Sequence, residues 1–212
     1  RRKPLKKLNN KGLSLVELVV VILMMGLIST MLVVFVSTSR MSYQQVSTEV
    51  QLQDEATFAM SYIEEIAVEA KECTAVEAVN DGTGDMLAFC IKAPDSEHQI
   101  VSAKDYYYIV ALEPDTGIMR FVTVAEDDPW FAQDATGKTI SIGDTLKKLK
   151  DDGKGIYGNQ RKLLAKNVKP DGLSVSADPN SSLITVDIVF ALLDKEYNAH
   201  KVILGRNFKA AK

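Results

Sequence analysis

The sequence predicts an α+β chain: a long N-terminal transmembrane and amphipathic helix packed on an antiparallel β-sheet domain. Three observations carry this. Leu13–Val36 is an apolar run of 24 residues broken by one charge, Glu17. Beyond Arg40, apolar residues recur at Leu52, Ala56, Ala59, Ile63, Ile66 and Ala70, at spacings of 4, 3, 4, 3 and 4, which is one face of a helix. After Asn80-Asp81-Gly82, short runs rich in β-branched and aromatic residues alternate with turn sequences, the pattern of short strands.

The tail comes first. Arg1, Arg2, Lys3, Lys6, Lys7 and Lys11 are basic, and no acid precedes Glu17. Without residues 1–12 and their six cations, the formal net charge moves from −3 to −9. A mildly acidic remainder argues against nucleic-acid binding, so the tail reads as a topology signal. The chain begins at Arg1 without a methionine, so the translated precursor is expected to be longer.

The apolar run follows. As a helix, Leu13–Val36 reaches about 36 Å at 1.5 Å per residue, enough to cross a hydrocarbon core of about 30 Å. Arg40 is the only cation between Ser37 and Ile66. That asymmetry predicts a cytoplasmic N-terminus and an extracytoplasmic domain. The competing reading is an ordinary secretory signal, whose apolar core is about 7–15 residues. Leu13–Val36 is longer, and Val36-Ser37-Thr38-Ser39 is the alternative cleavage site.

With no turn signal before Asn80-Asp81-Gly82, the helix is expected from Leu13 to about Lys71, with its second half on a sheet. Met86–Lys92, Tyr106–Leu112 and Gly117–Val124 are expected to form an antiparallel meander, turning at Glu113-Pro114-Asp115-Thr116-Gly117. Leu183–Leu193 and Lys201–Phe208 read as a terminal hairpin. Asp144–Lys150 and Arg161–Val168 read as short helices, and Asp152–Gly158 as a loop. The expected organisation is a leader at 1–12, a membrane half of the helix at 13–36, its amphipathic half at 37–72, and a β-rich domain at 73–212. Helix first and strands after fits helix-on-sheet packing.

A carboxylate five residues into a membrane segment costs about 2.5–3.5 kcal/mol on insertion scales, so Glu17 needs a reason. Lys11-Gly12 followed by Leu13-Ser14-Leu15-Val16-Glu17-Leu18-Val19-Val20-Val21 resembles the prepilin cleavage and methylation motif of type IV pilins and of type II secretion and competence pseudopilins. The match covers about 25 residues and combines a basic leader, a glycine before the apolar block, a hydroxyl at Ser14 and the acid at Glu17. The resemblance implies cleavage between Gly12 and Leu13 by a membrane prepilin peptidase, and N-methylation of Leu13. It also implies Glu17 as the assembly residue, pairing with the N-terminal amine of its own chain or of a neighbouring subunit. That pair removes two charges that lipid disfavours and sets the axial register. A plain single-pass anchor tolerates Glu17 by snorkelling but leaves Gly12 unexplained. One departure stands out. Many pilins carry proline about twenty-two residues after the cleavage point, where this chain has Val34, leaving Gly26, Ser29 and Thr30 to soften the helix.

The C-terminal half resembles the larger J-type pseudopilins and W-type minor pilins at Leu163-Leu164-Ala165-Lys166-Asn167-Val168, in a long strand pair, and at Arg206-Asn207. The family implies other pilin or pseudopilin subunits, the prepilin peptidase, an inner-membrane assembly platform driven by an ATPase, and membrane lipid as partners. It places the chain in the cytoplasmic membrane as a single-pass protein, and afterwards in a fibre or at the cell surface.

Other chemistry is sparse. Cys73 and Cys90 are the only cysteines; they read either as a disulfide pinning the helix end to the first strand or as two buried thiols. Asp81–Asp85 and Glu126-Asp127-Asp128 carry oxygens suited to calcium, but lack EF-hand spacing, so no metal or cofactor is expected. His98 and His200 sit in polar surroundings, and no hydrolase, zinc-protease, Walker or dinucleotide motif occurs, so no enzyme is expected. Along a strand, Tyr106-Tyr107-Tyr108 should alternate faces, with Tyr107 exposed and its neighbours packed or the reverse; with Trp130-Phe131 these rings are core or a subunit contact. The expected function is a minor pilin or pseudopilin, and the alternative is a membrane-anchored extracellular binding domain that does not polymerise.

Overall fold

The computed structural model describes residues 14–80, 84–94, 105–135, 137, 140–149, 161–178 and 181–208. Helix α1 spans Leu15–Val68. It holds no proline and one glycine, Gly26, so nothing in it removes a backbone donor. It ends as Glu69 and Ala70 tighten into i→i+3 bonds to Ile66 and Ala67.

Among the described residues nine strands follow: β1 (Glu72–Cys73), β2 (Glu77–Asn80), β3 (Asp85–Pro94), β4 (Asp105–Glu113), β5 (Ile118–Ala125), then helix α2 (Ile142–Leu149), β6 (Arg161–Ala165), β7 (Val168–Asp178), β8 (Leu183–Leu192) and β9 (Lys195–Leu204). The first sheet runs β1-β3-β4-β5-β6, with β2 also on β3; the second runs β7-β8-β9. All pairings are antiparallel. The layout is α+β.

Contacts divide the chain into two compact units, Arg1–Ser47 and Thr48–Lys212. Within the second, the buried face of α1 is Thr48, Leu52, Ala56, Ala59, Met60, Ile63, Ile66 and Ala67. It packs on Phe89, Ile91, Tyr108, Val110 and Leu112 of the first sheet, and on Val175, Ile184, Val186, Ile188 and Phe190 of the second. Burying Leu52, Met60, Ile63 and Ile66 contributes about 6–12 kcal/mol at roughly 1.5–3 kcal/mol each, so apolar contact dominates this docking.

The other face of the first sheet has its own core. Val79, Ala88, Cys90, Tyr107, Ile109, Val122 and Val124 pack under Trp130, Ile140, Ile142, Leu146 and Leu149. Hence Tyr107 and Tyr108 are both buried, on opposite faces of a sheet covered on both sides, instead of one facing water as alternation in a half-exposed strand would have it. α2 is held at its start by a reciprocal cap: the Asp144 N–H donates to Ser141 Oγ, and the Ser141 hydroxyl donates to Asp144 Oδ2.

Two expectations are corrected. Arg161–Val168 is not a helix. Its good helix formers are recruited as β6 against β5, with Met119 opposite Ala165, because the sheet edge offers pairing that a short isolated helix lacks. The terminal hairpin exists, but its second strand starts at Lys195 and ends at Leu204, held by ten residue pairs from Leu183–Leu204 to Leu192–Lys195. Its early residues Glu196, Tyr197 and Asn198 are all exposed, so they lack the alternation of buried and exposed positions that marks a strand. The loop expected at Asp152–Gly158 lies outside the described residues.

Candidate functional site

The start of α1 is built by its own first turn. Ser14 precedes the first helical residue, and Glu17 folds back so that its Oε2 accepts the Ser14 backbone N–H at 2.9 Å. Ser-x-x-Glu is the capping-box spacing. A carboxylate in the first turn also suits the positive end of the helix dipole. Glu17 is exposed, with its charge turned toward the N-terminal end. Gly12 and Leu13 lie outside the described residues. The capping box was visible in the sequence as Ser14-Leu15-Val16-Glu17, a signal distinct from the cleavage motif.

Beyond Glu17 the next acid is Glu49, and Arg40 is the only charge between them. Every apolar side chain from Leu15 to Val36 is exposed except for the helix's own neighbours, and this helix is long and apolar enough to cross a membrane. Three of its hydroxyls bond back to the helix backbone. Thr30 Oγ1 donates to the Leu27 carbonyl at 2.8 Å, and Ser37 Oγ and Thr38 Oγ1 both donate to the Val34 carbonyl, at 2.9 and 3.0 Å. Such back-bonding slightly destabilises and often bends helices. It falls at the residue standing where many pilins have proline.

Within the second unit, the C-terminal half is tied to α1 through carboxylates of the helix and of Glu69 just past its end. Glu55 accepts the Lys166 backbone N–H at 3.2 Å and Asn167 Nδ2 at 3.1 and 3.2 Å from its two oxygens. Asn167 sits in the left-handed region at φ 57°, which asparagine tolerates. Glu49 pairs with Lys195 at 2.8 Å and Glu64 with Lys201. Glu69 holds Arg206 at 3.2 Å and Asn207 at 3.0 Å. So Lys166-Asn167 and Arg206-Asn207, two of the sequence's family cues, are where the domain grips the helix. The acids on α1 gave no sign of this, since their partners lie more than a hundred residues away.

The remaining candidates have local roles. Cys73 and Cys90 are free thiols. Cys73 lies opposite Ile91, so it shares the face of Ile91 and packs toward the α1 core, whereas Cys90 packs in the other core. Strand alternation therefore turns the two sulfurs to opposite faces, and the disulfide alternative is not formed in this structure. Burial pushes the Cys73 thiol up to about 12. Cys90 is raised well above its usual range by burial and then by Cys73.

Glu126 accepts the Tyr107 hydroxyl at 2.8 Å and pairs with Lys92 at 3.4 Å. Asp128 Oδ2 accepts the Ala125 N–H at 2.7 Å. That acidic turn thus spends its oxygens on the protein, and among the described residues no three His, Cys, Asp or Glu side chains are grouped to hold a metal. Asp81, Gly82 and Thr83 of the other acidic loop, and His98, lie outside the described residues. His200 pairs with Asp187, its neighbour across the β8–β9 hairpin.

No family model, curated protein or solved structure matches the chain. Its chemistry is accordingly that of its own residues: a capped apolar helix with one acid at its start, and a domain gripped by the same helix.

Proposed function

We propose that the chain is a minor pilin or pseudopilin, a structural subunit made as a precursor in the cytoplasmic membrane and assembled through its N-terminal helix. The observation that carries the reading is Glu17 at the head of an exposed apolar helix, five residues after Gly12. A carboxylate there is costly in lipid. After cleavage at Gly12–Leu13 it faces a new amine one turn away. In a free subunit the carboxylate serves its own first turn; in a fibre it takes the amine of a neighbour, while the extracytoplasmic domain rides on the helix. A membrane peptidase, an assembly platform and further subunits are the partners this function requires.

A second reading draws on the capping box. The Ser14–Glu17 bond gives Glu17 a purpose inside its own helix, which is all that a non-polymerising membrane-anchored binding domain needs. Mass spectrometry of the protein from its native membrane, together with Glu17→Ala, separates the two. The pilin reading expects an N-terminus at methylated Leu13, and a variant that accumulates in the membrane but fails to enter fibres. An uncut Gly12–Leu13 bond, cleavage near Ser39, or normal function of Glu17→Ala overturns it.

A further inference from the structure

Arg40 is exposed, is the only charge between Glu17 and Glu49, and has no acid paired with it among the described residues. Such an isolated cation at the end of an apolar span calls for a partner.

Its depth points to one. The exposed apolar run Leu15–Val36 covers about 33 Å at 1.5 Å per residue, close to a hydrocarbon core of about 30 Å. Arg40 lies four residues, about 6 Å, past Val36. Each headgroup layer is about 5–7 Å deep, from the difference between the full bilayer and its core. A helix that spans on Leu15–Val36 therefore sets Arg40 at the level of lipid phosphates.

The surroundings fit that depth. At about 100° per residue, Val33, Val36, Ser37, Tyr43 and Gln44 fall within about 60° of Arg40 around the helix. Leu32, Val33, Val36, Ser37, Arg40 and Gln44 line one shallow groove of ≈ 550 Å³ together with Met41. Arg40 lines the groove at its polar end, where its apolar stem can cover the helix while the guanidinium stays at headgroup level. The groove is apolar at Leu32 and Val33, where an acyl chain would lie, and cationic at Arg40, where the headgroup would sit. A planar guanidinium matches the paired oxygens of a phosphate.

We propose that Arg40 and the groove beneath it form a binding site for one anionic phospholipid, with the phosphate on Arg40 and the acyl chain along Leu32, Val33 and Val36. The proposal rests only on the membrane-spanning part of the reading above and is independent of cleavage or assembly. An unassembled subunit would hold this lipid while it waits in the membrane, and would exchange it for protein contacts when extracted.

The full chain in phosphatidylcholine nanodiscs doped with phosphatidylglycerol tests this, with retained lipid counted by native mass spectrometry and insertion checked by protease protection. The basic tail attracts anionic lipid at the other interface, so the readout is the difference between variants: Arg40→Gln should lower the preference for phosphatidylglycerol over phosphatidylcholine by about five-fold from wild type, corresponding to about 1 kcal/mol for one interfacial cation. Arg40→Lys should keep part of that Arg40-dependent preference, and Arg2→Gln should leave it intact. Equal retention by Arg40→Gln and wild type, with both inserted, overturns the proposal. So does Arg40→Gln losing self-association while retaining lipid normally, because the cation would then belong to a neighbour's carboxylate. Failure of the wild-type chain to insert overturns it together with the membrane reading.

Discussion

Glu55 is where the C-terminal half is most closely held by α1, and removing its carboxylate should unlatch the turn at Lys166-Asn167. The carboxylate receives two donors, the Lys166 N–H and the Asn167 side-chain amide. The same turn is held from other sides by Ala191 N–H on the Asn167 carbonyl at 2.7 Å and by Val168 N–H on the Gly117 carbonyl at 2.9 Å, so it stays in place but loses one support. Hydrogen bonds to a charged acceptor contribute about 1.5–3 kcal/mol each. Lys166 is exposed and Glu55 half-buried, and water replaces part of that, leaving about 2 kcal/mol for Glu55→Ala. At roughly 2–4 °C per kcal/mol for a unit of this size, Tm should fall by about 4–8 °C. Glu55→Gln keeps one acceptor oxygen and should lose about half as much. Trp130 is the only tryptophan and is buried in the far core, so its fluorescence during thermal unfolding of the detergent-solubilised chain reports the globular unit alone. A double-mutant cycle with Asn167→Ala should give a coupling of about 1 kcal/mol. Additive effects, or Glu55→Ala melting within about 1 °C of wild type, would refute the argument that this carboxylate holds the turn.

Two further outcomes concern buried chemistry. Cys73 is raised from 9.0 to about 12. Below pH 9 the thiol keeps its proton folded or unfolded, and the shift has no effect on stability; from pH 9 toward 12 the unfolded thiol ionises while the folded one does not, so stability should fall as pH rises through that window. Cys73→Ser should flatten that fall in pH-dependent melting, and both native thiols should resist iodoacetamide at neutral pH until denaturant is added. Gly117→Ala should destabilise by about 2–4 kcal/mol, because Gly117 has φ 65° and an added Cβ would lie 2.7 Å from the Val168 carbonyl oxygen; urea unfolding that is unchanged would contradict this.

Much of the α+β layout was legible because long-period signals are local. The 3.6-residue stripe from Leu52 to Ala70 marked α1, and the apolar runs before and after Glu113-Pro114-Asp115 marked β3, β4 and β5. β7 was missed because Pro170-Asp171-Gly172 reads as a turn, yet the strand passes through it with a shift in pairing between Val168 and Leu173. β6 was missed because Lys162-Leu163-Leu164-Ala165 has helical propensity, and only the vacant edge of β5 makes it a strand. At the candidate site, Glu17 stood out as a charge in an apolar run. The grip of Glu49, Glu55, Glu64 and Glu69 did not, because an acid on an amphipathic helix reads alike whether water or a distant turn receives it.

The ion pairs along α1 and β9 have a mechanical reading. Glu49 and Glu64 are about 22 Å apart on the helix, and Lys195 and Lys201 about 20 Å apart on the strand, so the two elements run side by side at nearly matched length. Exposed pairs of this kind contribute little to stability. Their arrangement still decides how force is shared. A load along the helix axis meets Glu49–Lys195 and Glu64–Lys201 in shear, both attachments at once, whereas a sideways load would open them one after another like a zip. The domain is mounted to withstand being pulled lengthwise.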